Sequence, residues 1–308
     1  MRKRNNISSN YFTINKNSIL RFSILMVSLI VALTSSAAKR ALLVGISEYP
    51  AVAATDASWS AIHGANDVKL ISPTLKGQGF AVTELTGKAA TATAVRKSLA
   101  TLAKNATKGD LVYIQFSGHG QPFEDKSGDE ADGWDEAIIP YDAHSRYHKG
   151  YKGQNHILDD ELEKAINKIR TKVGPTGYVY VVLDACHMGG ASRDESESED
   201  ELYVRGTDRG FSSSSKRFVP KIDRRAHMKI ASKPNMAGIC YIEACRSYQT
   251  NAEIKENGNF YGPLTFYINQ TLRSVTLSSD SKWTDRVVRA MAKDKRLIKQ
   301  NPVIETDK

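Results

Sequence analysis

Cysteine is scarce in this chain. Its 308 residues carry three, Cys186, Cys240 and Cys245, and an odd number excludes complete disulfide pairing, because at least one thiol must stay free. No internal repeat is evident. No basic patch interleaved with aromatics appears either, which excludes nucleic-acid binding as the main role despite a net charge of +9. Much of that charge is local: residues 1–38 hold Arg2, Lys3, Arg4, Lys16 and Arg21 with no acid, leaving only +4 on the rest. A long apolar run is missing as well. The stretch FSILMVSLIVAL is about a dozen residues, short of the ~20 that cross a bilayer comfortably. What remains is an ordinary globular composition, 41% hydrophobic and 25% charged, enough for one large or two small domains.

The N-terminus reads in the order of a secretory signal: basic MRKRNN, the short apolar core, then small residues in TSSAAKR. Residues 1–38 are expected to be a signal peptide cut near Ala37 or Ala38, with an uncleaved anchor as the alternative. No cysteine lies at the cut, which argues against a lipoprotein. The mature protein is expected outside the cytoplasm, secreted or periplasmic, and at a membrane only if the leader is kept.

From there apolar, β-branched runs alternate with helical patterns. RALLVGISEY, FAVTEL, LVYIQF, GYVYVVLDAC and NMAGICYIEAC read as strands. The segments around GANDVKLISPTLKG, TATAVRKSLATLAKN, DDELEKAINKIR, GPLTFYINQTL and WTDRVVRAMAK read as helices. This alternation predicts an α/β domain over 39–308 with a mostly parallel central sheet and helices on both faces. Residues 191–233 break the pattern, passing from an acidic run through a Ser-rich stretch to a basic one. That composition predicts an exposed insert, separating a larger part (39–190) from a smaller one (234–308). Cys240 and Cys245 fall in GICYIEAC at an odd spacing, on opposite faces of the expected strand, and read as packing residues.

Two strand ends carry chemistry. LVYIQFSGHG ends with Ser117 and His119, and YVYVVLDACHMGG ends with Asp184 and Cys186. Ligands of an open α/β sheet bind beyond the carboxyl ends of its strands, so if these strands are neighbours, imidazole and thiol meet there. A thiolate is the reactive form of cysteine, and a nearby imidazole is the usual means of producing it.

The motifs SGHG, DGWDEAIIPYD, ILDDEL, LDACHMGG and EACRSYQTNAE, with GANDV before them and GPLTFY after, stand in the order seen in caspase-like cysteine peptidases (family C14). From about Arg40 onward the chain most closely resembles the metacaspases. The resemblance implies the caspase-like fold, Cys186 as nucleophile and His119 as its acid–base partner. It also implies an oxyanion hole from the N–H groups of Gly120 and Cys186. Asp184, Asp67 and Ser117 would form the pocket for the residue before the cut bond. Two carboxylates there would take Arg or Lys and repel Asp. Protein or peptide substrates with a basic residue at that position follow, and a monomer is expected. The resemblance adds Asp135, Asp159 and Asp160 as a candidate Ca²⁺ site for activation, since hard carboxylate oxygens suit that ion. The chemistry itself would need no cofactor. The DDEL acids read equally well as first-turn residues complementing a helix dipole.

A peptidase cutting after basic residues could cut its own insert, at Arg205, Arg209, Lys216, Arg217, Arg224 or Arg225. Two other readings compete: a catalytically silent caspase-fold binding module, and a clostripain-like relative with the same preference for Arg or Lys.

Overall fold

Strands rich in Val, Ile, Tyr and Leu, apolar on successive residues rather than alternate ones, build a sheet that is covered on both faces. The computed structural model describes residues 37–307 apart from 53–56, 129, 131, 187–202, 215, 221, 223–226, 231 and 298. The expected signal segment, up to its last two residues, lies outside the described residues. Among them no helix is long and apolar enough to cross a membrane. From Ala37 onward the chain forms one unit.

The elements follow in chain order: β1 (Lys39–Gly45), α1 (Gly64–Gly77), β2 (Ala81–Thr86), α2 (Ala92–Asn105), β3 (Leu111–Ser117), β4 (Gly120–Glu124), β5 (Trp134–Ile138), β6 (Ile157–Leu158), α3 (Asp159–Val173), β7 (Tyr178–Asp184), β8 (His227–Lys229), β9 (Gly238–Glu243), β10 (Ile254–Glu256), β11 (Asn259–Tyr261), α4 (Pro263–Leu272), α5 (Thr284–Lys293) and β12 (Val303–Thr306). Seven strands form the main sheet in the order β2-β1-β3-β7-β9-β12-β8. The first five are parallel, and β12 is antiparallel to β9. The mostly parallel α/β architecture expected from the sequence is therefore present.

One apolar cluster joins Val68, Ile71 and Leu75 of α1 to α4, α5 and one face of the sheet. Another joins Val95 and Leu99 of α2 to Leu162, Ile166 and Ile169 of α3 on the opposite face. Both sets recur every three or four residues, so each helix buries one stripe. The helix ends are written locally. The Thr91 hydroxyl accepts from the Ala94 N–H (3.2 Å) to start α2, and Gly174, at φ 67°, stops α3.

The chain order reverses at β1: β2 lies on one side of it and β3 on the other. A crevice opens at such a switch point, beyond the strands' carboxyl ends. The small sheet β4-β5-β6 borders this edge, since β4 begins one residue after His119.

The insert departs from expectation. Residues 203–214 dock through two side chains, Arg205 wholly buried and Phe211 2% exposed, while Asp208, Arg209, Ser213 and Ser214 are exposed as expected. Average composition describes the segment poorly because one guanidinium and one aromatic ring, each with a matching receptacle, are enough to dock it. Further along, His227–Lys229 adds an edge strand beside β12.

Candidate active site

β3 and β7 are parallel neighbours with Ser117 opposite Asp184. His119 and Cys186 each lie two residues beyond that pair, so the topology brings both groups to one rim of the sheet. Both are buried, with 1% exposure each.

The imidazole is held by its surroundings. His119 stacks on Trp59 at 4.7 Å and tilts against Tyr49 at 5.2 Å, and its own N–H donates to the Tyr49 hydroxyl. Its Nε2 lies 3.0 Å from the Ser60 carbonyl oxygen. A carbonyl only accepts, so this contact puts the proton on Nε2 and leaves Nδ1 as the basic nitrogen. Nδ1 is buried and has no hydrogen-bond partner. Burial pushes the imidazole down to about 4; the Ser60 bond opposes that shift and the Arg205 charge adds to it. The ring is therefore neutral near pH 7, as a proton acceptor must be.

The Cys186 thiol donates to the Gln249 carbonyl at 2.7 Å and accepts from the Cys245 thiol at 2.9 Å. Cys245 is thus not a packing residue within β9. That strand ends at Glu243, and two residues later the thiol turns to its neighbour's sulfur.

The acidic pocket exists and is filled. Asp67 and Asp184 are wholly buried, and the N-terminus of α4 receives both. Asp67 accepts from the Gly262 N–H (2.9 Å). Asp184 accepts from the Thr265 N–H and hydroxyl (2.7 Å each) and from Asn251 (2.9 Å). Helix N-termini favour negative charge. Arg205 enters this pocket from the insert. Its Nη1 lies 2.5 Å from Asp67 Oδ2 and 3.4 Å from Asp184 Oδ1, while its Nε donates to Glu253 Oε1 at 2.9 Å. Burial pushes Asp67 up to about 6 although the guanidinium works against it. Glu253 goes the other way: burial would raise it, but Arg205 and His63 outweigh that and hold it below the usual carboxylate range.

The backbone of Arg205 is as informative as its side chain. Its carbonyl oxygen accepts from the Cys186 N–H at 2.8 Å, and its N–H donates to the Asn251 carbonyl at 2.9 Å. Val204 pairs antiparallel with Ala252, and Gly206 pairs with Gly120. A basic side chain thus sits in an acidic pocket, with its carbonyl on a backbone donor of the candidate nucleophile and its chain extended along the rim.

The structure brings together Cys186, His119, Gly120, Asp184 and Asp67. Ser117 is wholly buried nearby, but its hydroxyl accepts from Gln115 (3.0 Å) and makes no described bond to Arg205. Glu253, Cys245, Ser60 and Asn251 are the participants that motif reading missed. The signal for Glu253 was present, an acid closing the TNAE stretch just beyond β9.

Asp135, Asp159 and Asp160 fare differently. Asp135 is 7% exposed on β5, facing Phe123 in register. Asp159 accepts from the Asp160 N–H, and Asp160 pairs with Lys164 at 2.9 Å. Among the described residues no three metal-ligating side chains form a cluster, so no step is derived through calcium. Of the candidate self-cleavage residues, Arg205 alone among the described ones has its carbonyl on Cys186. Arg209 offers its carbonyl to Gln121, and Lys216 binds the Gly133 carbonyl over the Trp134 ring. Arg217 lies in the 216–220 stretch, outside this docked segment, while Arg224 and Arg225 lie outside the described residues.

Comparison with known proteins bears on the family and the fold. The profile of the Caspase domain family matches residues 38–308. Metacaspase-1B of Neosartorya fischeri is 25% identical over 203 residues, 58% of this chain and 47% of its own. Metacaspase-4 of Arabidopsis thaliana is 30% identical over 129 residues, 38% of this chain and 27% of its own. The chain spans about half the length of the fungal relatives it matches. Among solved structures, a protein of Geobacter sulfurreducens aligns with TM-score 0.57 at 23% identity, over 87% of this chain and 93% of its own, a likeness of fold.

Proposed function

The chain belongs to the Caspase domain family, and from that premise we propose that it is a cysteine endopeptidase that cuts after basic residues and processes its own chain at Arg205–Gly206. One observation carries the reading: Arg205 occupies the acidic pocket while its carbonyl oxygen rests on the Cys186 N–H. This is the pose of a substrate residue about to be attacked.

The chemistry follows from the contacts. The thiol turns from the Gln249 carbonyl to His119 Nδ1, the one ring nitrogen without a partner, and gives up its proton. The thiolate attacks the Arg205 carbonyl carbon, and negative charge grows on the oxygen already bonded to the Cys186 N–H. A donor set in place before that charge develops lowers the barrier most effectively. His119 then protonates the departing Gly206 nitrogen, and water releases the acyl group from sulfur. Peptides in trans use the same groups once Arg205 has left the pocket. The leader's composition supports export of the mature chain.

The test combines two measurements. Wild-type protein should yield fragments ending at Arg205 and beginning at Gly206 by mass spectrometry, while Cys186→Ala remains one chain. Peptides ending in Arg, Lys or Asp before a fluorogenic leaving group should be turned over for Arg, with or without added Ca²⁺ as the activator assay. Turnover of none would support a silent binding module instead, and turnover of Asp alone would overturn the pocket.

A further inference from the structure

Resting on that basic-residue reading, we infer that Glu253 makes the pocket selective for arginine over lysine. Its side chain is fully buried. Oε1 accepts from Arg205 Nε at 2.9 Å, and Nη2 stands 2.8 Å away as an ion pair without hydrogen-bond geometry. The guanidinium is therefore gripped along two edges, Glu253 taking the Nε side and the aspartate pair taking Nη1.

Lysine cannot meet both demands. At the position of Nε it has a methylene, and its single nitrogen stops near the central guanidinium carbon, short of Nη1. Either Glu253 or the aspartates would then hold an unmatched buried charge, which is strongly unfavourable. Glu253 cannot turn away to avoid this. Its Oε1 also accepts from the His63 N–H (2.7 Å), and its Oε2 lies 2.6 Å from His63 Nδ1. The His63 ring is itself packed on Phe260 and Tyr203. The His63 contacts hold the acid without help from Arg205.

The experiment compares kcat/KM for otherwise identical Arg and Lys peptides. Wild type should favour Arg by on the order of 100-fold, since a site built for a charged hydrogen bond rejects ligands lacking it. In Glu253→Gln the Arg value should fall by roughly 30-fold or more and the Lys value by less than about threefold, collapsing the ratio. Glu253→Asp keeps the charge but shortens the reach, and should collapse it too. Arg205→Lys should self-cleave about tenfold more slowly or worse, which checks the inference without disturbing the pocket wall. Equal wild-type turnover of Arg and Lys, an unchanged ratio in both Glu253 variants, or undiminished self-cleavage of Arg205→Lys would overturn the selectivity. No turnover of either peptide would instead overturn the peptidase reading beneath it.

A separate observation points to a redox latch on the nucleophile. Cys186 and Cys245 each lie two residues beyond paired parallel strands, with their sulfurs 2.9 Å apart. Adjacent strands stand about 4.8 Å apart, within the Cα range that a disulfide bridges. A peroxide supplies the oxidant. The Cys186 thiolate attacks one peroxide oxygen, giving a sulfenic acid and hydroxide, which takes up the proton. The Cys245 sulfur then displaces the sulfenic hydroxyl as water. Two thiols and one hydrogen peroxide thus become one disulfide and two waters, and thiol exchange reverses the bond.

Wild type treated with hydrogen peroxide should lose peptide hydrolysis, regain it with dithiothreitol, and show a Cys186–Cys245 linked peptide in non-reducing maps. In Cys245→Ala no thiol traps the sulfenic acid, so excess peroxide should carry Cys186 on to sulfinic acid, seen as two added oxygens by mass, and dithiothreitol should no longer restore activity. Unrestored loss in wild type with oxygen added to Cys186, or no loss at all, would overturn the latch.

Discussion

At the scale of single residues, the pocket is defined as much by a missing side chain as by its acids. A Cβ placed on Gly262 would lie 2.2 Å from Asp184 Oδ2 and 2.4 Å from Arg205 Nη1. Gly262→Ala should therefore push the guanidinium off the aspartates while leaving Cys186 and His119 in place. Kinetics should show kcat/KM for Arg peptides reduced by about 100-fold, equivalent to ~2.7 kcal/mol. Thermal melting would show that the fold persists, and unchanged turnover would contradict the assigned pocket wall.

The same residues predict a pH signature. In the filled site the His119 imidazole is held down to about 4, by burial first and by the Arg205 charge further on, the Ser60 bond opposing. Emptying the pocket removes that positive charge and admits water, so the imidazole rises toward its ordinary ~6.5. Protonating that base costs activity as pH falls. The acid limb of kcat/KM, which reports the free enzyme, should thus lie about one pH unit or more above that of the intramolecular cut. Coincident limbs would show that Arg205 does not control the site.

At the scale of elements, register matters more than composition. The segment 203–214 is fixed at one end by the Val204–Ala252 and Gly206–Gly120 pairs. At the other it is fixed by Phe211, stacked 5.0 Å from Phe123 and tilted against His156 at 4.5 Å. Removing that ring leaves a void, and buried Phe→Ala changes cost about 3–5 kcal/mol where the site cannot collapse. Phe211→Ala should slow self-cleavage about tenfold or more, because the Arg205 carbonyl loses its fixed position, while the variant once processed cuts Arg peptides in trans as before. Self-cleavage at the wild-type rate would assign the register to the strand pairs alone.

This segment also marks where sequence reading stopped. The strands of the main sheet were legible because they are long apolar runs, His119, Cys186 and Asp184 because they stand at or near strand ends in ordered motifs, and Asp67 because GANDV opens α1. Glu253 stood in a quoted motif, but its role depends on where Arg205 arrives, which is a fact of tertiary packing. Cys245 was misread because β9 ends two residues before it, so strand alternation no longer sets its direction. The β10–β11 hairpin carries a plain turn signal, Asn257 and Gly258 both at positive φ, yet its strands are three residues each, too short for periodicity to reveal. The docked insert was hidden because composition averages over 43 residues what two side chains decide.

At the scale of the whole molecule, a cut at Arg205–Gly206 falls between elements that cannot part easily. β7, before the cut, is hydrogen-bonded along its length to β9, after it, from Tyr178 opposite Gly238 to Leu183 opposite Glu243. The apolar cluster beneath the sheet mixes both sides as well: Leu43, Val68, Ile71 and Tyr180 precede the cut, whereas Ile242, Leu264, Ile268 and Trp283 follow it. Even the pocket is shared, since Asp67 and Asp184 come from one side and Glu253 and Gly262 from the other. Separation would strip the sheet of a central pairing and expose the core, at a cost no single peptide bond controls. The processed protein should therefore elute in gel filtration as one species of uncut mass, and denaturing gels should resolve two fragments. Urea should dissociate the fragments and abolish peptide hydrolysis over the same concentration range. Fragments that eluted separately with activity confined to one of them would refute a pocket built from both sides of the cut.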